Sequence, residues 1–171
     1  MHRATNLGIA VSSSIFVIIL GIAAYWDPTI RVLHAFEALP YVAVALLSLR
    51  RNRFAYPLGF VSGGFWLWMA GFLTTFIRNG FERLAMLVRT GGVDRVDILI
   101  AAPAAIATGG LALLSLIGYT QQPAKSRRDV VLLIAALVIV PAFFIAIFAA
   151  FAPQYLGMFT PLVRRLRSIA G

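Results

Sequence analysis

Five stretches of this chain run for a membrane's thickness with hardly a charge: residues 7–26, 32–49, 54–77, 98–119 and 130–152. An α-helix needs about 20 mostly apolar residues to cross the hydrocarbon of a bilayer. In 171 residues, 61% are hydrophobic and 12% charged, with a mean hydropathy of +0.90. A soluble domain carries about twice that charge and cannot hide so much apolar surface. The chain therefore reads as an all-α integral membrane protein. The expected form is a compact bundle of about five transmembrane helices with short loops. Residues 1–171 then make a single transmembrane domain.

The breaks between spans are plain. Asp27-Pro28 ends the first, and Arg50, Arg51 and Arg53 end the second. The second span is the weakest, because it is short and holds His34, Glu37 and Pro40. The first apolar run is longer than a secretory h-region and Ile22-Ala23-Ala24 is a poor cleavage site, so it reads as a retained helix.

The charge is lopsided: 15 Lys and Arg against six Asp and Glu, a formal net of +9. In a soluble protein that excess would point to nucleic acid. Here the basic residues sit in short runs between apolar stretches, as membrane loops do, so no nucleic-acid partner is expected. The two densest clusters, at residues 50–53 and 125–128, fall on the N-terminal side. That places the N-terminus in the cytoplasm of a cell with a bacterial-type inner (plasma) membrane. Two further stretches, 76–88 and 155–169, mix apolar and basic residues at helical spacing and read as interfacial segments.

Each helical residue turns about 100°, which sorts the spans into faces. In the third span Gly59, Gly63, Ala70 and Thr74 share a small-residue face suited to close helix packing. Phe65, Trp68, Phe72 and Phe76 take the opposite side, where lipid is the simplest neighbour. In the fourth span Asp97, Ala101, Ala104, Thr108, Ser115 and Tyr119 project to nearly one side, a small and weakly polar face. The sequence Ala-Leu-Leu-Ser-Leu occurs at both 45–49 and 112–116, which reads as coincidence in helices so rich in these letters.

The second span carries a polar ridge of Arg31, His34, Glu37, Tyr41 and Ser48. An acid deep in a bilayer faces protein or water, at a cost of about 2.5–3.5 kcal/mol on insertion scales. One reading is a proton, cation or polar-ligand site on His34, Glu37, Tyr41 and Ser48, set against Thr108 and Ser115 of the fourth span. The other is a His–Glu pair that merely fixes the bundle, and the sequence favours it.

No motif for catalysis stands in the chain: no His-Glu-x-x-His, no Gly-x-Ser-x-Gly and no phosphate-binding loop. Cysteine is absent, and only His34 of the two histidines falls in a span, so neither a metal site nor a cofactor is expected. The first expectation for function is a non-enzymatic subunit, or an assembly or regulatory partner, of a larger membrane complex. Its partners would be the bilayer and another membrane protein, or a second copy of itself. The alternative is a small transporter or channel for a proton, cation or small polar or lipophilic molecule using the His34–Glu37–Tyr41 ridge. A lipid-modifying enzyme is a minor third.

Overall fold

A computed structural model describes residues 3–122 and 124–160, and these are helical with no strand among them. Helix α1 spans Arg3–Trp26, α2 Arg31–Leu49, α3 Ala55–Trp68, α4 Phe76–Thr90, α5 Val96–Leu99, α6 Ala101–Thr120 and α7 Arg127–Phe151. Four segments are long and apolar enough to cross a membrane: Arg3–Trp26, Pro28–Leu49, Val96–Thr120 and Arg127–Phe151. A fifth is Ala55–Leu73, counted together with the α4 helix that leaves it at 80°. Their outer faces carry Ile18, Val42, Ile106, Leu113 and Val138 in the open, a surface that suits acyl chains.

The packing order is not the chain order. Helix α1 lies along both α2 and α6, α3 lies along α6 and α2, and α7 leans on α3 and α2. The fully buried side chains Ile9, Phe16, Tyr41, Val44, Tyr56, Leu111 and Phe144 fill the space between them. Helix α3 therefore sits at the centre, and its small residues explain how it fits. A Cβ on Gly63 would stand 2.8 Å from the carbonyl oxygen of Thr108 in α6, and one on Gly59 would strike Ser115 Oγ. The α3–α6 crossing is as close as it is because nothing protrudes there.

The turns follow from local chemistry. Asp27 Oδ1 accepts from the amide of Thr29 at 3.0 Å, and Pro28, which has no amide proton to satisfy, opens a short 3-10 turn into α2. At the head of α7, Ser126 Oγ accepts from the Asp129 amide at 3.4 Å and Asp129 Oδ2 accepts from the Ser126 amide at 2.8 Å. This reciprocal pair starts the helix cleanly.

The third apolar stretch departs from expectation. It does not run as one helix from 54 to 77. After Trp68 it widens into a π-helical turn at Met69–Leu73, and Thr74 then goes extended. The Thr74 hydroxyl donates to the Ala70 carbonyl at 2.9 Å and accepts from the Phe76 amide at 3.2 Å, closing one helix and opening the next. Phe76 thus belongs to α4 and not to the aromatic side of α3. That side is also divided: Phe72 is 84% exposed, whereas Phe65 packs on Phe144 of α7 at 5.3 Å between ring centres.

Helix α4 corresponds to the interfacial stretch expected at 76–88. Gly80 is its buried point of contact, where a Cβ would lie 2.8 Å from Ala101 Cβ and 2.9 Å from the Ala102 amide. Phe81, Met86 and Val88 stay exposed on it, beside Arg78, Glu82 and Arg83. Gly91, with φ of +72°, ends the helix in the left-handed conformation that glycine adopts without strain. Of the second interfacial stretch expected, at 155–169, residues 161–169 lie outside the described part.

Two ends of the bundle are now defined. At one end the N-terminal turn meets the α2–α3 and α6–α7 loops: Ser48 and Tyr56 bond to Asn6, and Arg53 reaches Asp129. At the other lie the α1–α2 turn, the break before α4, the start of α6 and the end of α7.

Candidate functional site

A cavity of about 410 Å³ opens at that second end. Every long helix contributes a wall. Phe16, Leu20 and Ala23 come from α1, Leu33, His34 and Glu37 from α2, Trp66 from α3, Ala101 and Ala104 from α6, and Phe148 from α7. Met69 and Ala70 of the π turn line it as well. The π turn widens α3 where it meets the cavity. Around the mouth stand Asp27, Thr74, Thr75, Asn79, Arg95, Asp97 and Tyr155. Phe16 lies ten residues from the end of α1, so the cavity reaches about 15 Å into the bundle.

Below Phe16 and Trp66 the interior closes. Phe16 packs tilted on Tyr41 at 4.3 Å and edge-to-face with Trp66 at 5.1 Å between ring centres. The Tyr41 hydroxyl donates to the Ser62 carbonyl at 3.1 Å. This aromatic plug is why the chamber has a mouth at one end and a floor at mid-bundle.

One acid faces the chamber from within a helix. Glu37 is 4% exposed, and its hydrogen bond among the described residues runs to His34 Nδ1, 2.6 Å from Oε2. The i, i+3 spacing on α2 brings the two together on one face. At the mouth, Arg95 grips Asp97 with two bonds of 2.9 and 2.6 Å. The hydrogen bond to Asp97 holds the Arg95 guanidinium above its ordinary pKa, so this pair stays charged and mutually satisfied. Asp27 caps the turn beside it through Thr29.

The residues singled out on the sequence are thus separated into groups. His34 and Glu37 face the cavity, and Ala70 and Thr74 line it too. Tyr41 lies beneath the floor and Ser48 bonds the Asn6 carbonyl at 2.8 Å near the opposite end. Thr108 bonds the Ala104 carbonyl of its own helix at 2.7 Å, and Ser115 lies against Gly59, on the α3 side of α6. Neither lines the chamber with Glu37: α3 occupies the place expected for the contact between the second and fourth spans. Arg31 leaves the ridge altogether and donates to the Ala24 carbonyl at 3.1 Å. Gly59 and Gly63 stand at the α3–α6 crossing.

Sequence reasoning did not find Phe16, Trp66 or the mouth residues Asp27, Asn79 and Asp97 as parts of one site. Phe16 and Trp66 look like ordinary span residues, and the mouth is assembled from four separate turns. Among the described residues no three His, Asp or Glu side chains gather as a metal ion would require. Buried polar atoms elsewhere, Ser13 Oγ, Ser62 Oγ and Ser115 Oγ, have no hydrogen-bond partner and are scattered through α1, α3 and α6.

No family model matches this chain, and no curated protein or solved structure matches it.

Proposed function

We propose that this chain is a five-span protein of a bacterial-type inner membrane that takes a small amphipathic molecule into the chamber between α1, α2, α3, α6 and α7. With the N-terminus in the cytoplasm, the mouth opens on the outer face and α4 lies in the outer headgroup layer. The observation that carries the reading is the chamber itself. Its apolar depth, rimmed by polar groups and holding one buried carboxylate, has the make-up of small-molecule sites. A volume of this order is that of a ligand pocket rather than a packing defect. The closed floor favours binding, or carriage with a change of shape, over an open pore. The polar groups of Tyr41, Ser48 and Thr108 are bonded within the bundle outside it.

The expectation of a partner subunit has no comparable support. The outer apolar faces are what lipid covers. The test is native mass spectrometry of the full chain released from detergent. A small-molecule adduct that saturates on the wild type and disappears in Ala104→Phe, which fills the chamber, supports the proposal. Identical adducts on both proteins, or none on either, would remove it.

A further inference from the structure

We infer that the molecule taken into the chamber is an organic cation, an ammonium or similar centre on an apolar or aromatic body, and that Glu37 is its counter-charge. This rests on the chamber being a binding site, as proposed above, and adds the sign of the ligand's charge. The chain as a whole is strongly basic, with a net charge of +9, yet the chamber is not. Three of the six carboxylates in the sequence, Asp27, Glu37 and Asp97, line it, against a single guanidinium, that of Arg95. Arg95 is committed to Asp97 by two short bonds, so those two charges cancel. What remains facing the space is Asp27 at the mouth and Glu37 inside, with His34 beside it.

Two details place the cation within the chamber. Glu37 uses Oε2 for His34, and its other oxygen has no hydrogen bond among the described residues. That oxygen is not among the buried unpartnered atoms of the described residues, so it borders the open chamber, where a donor or a positive charge can reach it. Phe16 and Trp66, held together at 5.1 Å between ring centres, line the same chamber. Aromatic rings of this kind attract a desolvated cation as well as an apolar body. An anion of the same shape would meet the same rings but would be repelled by Glu37 and Asp27.

The experiment uses two probes of nearly one shape and opposite charge, tetraphenylphosphonium and tetraphenylborate. Their saturable binding to the full chain in lipid nanodiscs is measured by equilibrium dialysis, with empty nanodiscs subtracted. Wild type should bind tetraphenylphosphonium and discriminate against tetraphenylborate by about tenfold or more, the scale of one charge-assisted contact. Glu37→Gln, which keeps size and hydrogen bonding, should lose about tenfold in affinity for the cation; Asp27→Asn, at the mouth, should lose less. Equal binding of both probes to wild type overturns the inference, and does so even if Glu37→Gln fails to fold. So does a folded Glu37→Gln that binds the cation as wild type does. In either case abolition of binding by Ala104→Phe would leave the chamber reading standing. No saturable binding of either probe to any of the proteins would overturn both.

Discussion

Two neighbouring glycines behave as different residues. A Cβ at Gly63 would stand 2.8 Å from a backbone oxygen of α6, which cannot move without moving the helix; a Cβ at Gly64 would meet nothing within 4 Å. Gly63→Ala should therefore destabilise the protein by about 1–3 kcal/mol, the range for overpacking a close contact. Gly64→Ala should be neutral or stabilise it by up to about 1 kcal/mol, since alanine is the better helix former. Thermal unfolding of both variants in one detergent checks the pair. Equal melting temperatures would mean that α3 and α6 do not meet as described. At this scale the sequence was legible where a residue acts through its own helix. The i, i+3 spacing of His34 and Glu37 was enough to place them together. It was silent on Trp66, whose role depends on which helix lies opposite, and on Arg31, which turns back to a carbonyl of the preceding helix.

The helices themselves were largely visible in the run of apolar residues, with ends shifted by a turn or less. The break in α3 was not, because hydropathy continues across Thr74 and Thr75 while the backbone turns by 80°. Two adjacent threonines are compatible with an unbroken helix. Only the Thr74 hydroxyl, bonding both ways along the chain, shows them ending one. A prediction about α4 follows from that bend. Nitroxide labels placed at Phe81, Leu84 and Val88, which fall within about 60° of one another on the helix, should report closely similar depths at the bilayer surface, since a helix in the headgroup plane keeps its apolar face at one level. A helix continuing the direction of α3 would instead climb away from the bilayer by about 1.5 Å with each residue. A graded series of depths between positions 81 and 88 would show that α4 does not lie along the surface and that the mouth of the chamber is built differently.

For the molecule as a whole, the order of helices around the core was beyond the sequence. Faces can be sorted by periodicity, but which face meets which is decided by shape. Hence α3 came to stand where contact between the ridge of α2 and the small face of α6 was expected. The ends of the bundle are firmer. Arg53 lies 3.5 Å from Asp129, so the α2–α3 turn and the start of α7 share one end of the bundle. Single cysteines at Asn52 and Ser126 should accordingly react alike with an impermeant reagent. With the N-terminus inside, both should be protected in intact cells and both labelled once the membrane is opened. Labelling of both from outside would reverse the protein in the membrane, whereas labelling of only one would contradict the shared end.

The wall that α7 supplies has a bearing on how the protein is made. Phe148 lines the chamber with Glu37, yet it belongs to a helix that leaves the ribosome after the other long walls are made. Until α7 docks, a half-finished chain holds a carboxylate in a groove with one side missing, open to hydrocarbon or to stray water. Such an intermediate is what membrane quality control recognises as unfinished. Nascent chains halted after Thr120 should turn over faster than the complete protein, and Glu37→Gln should lengthen their life.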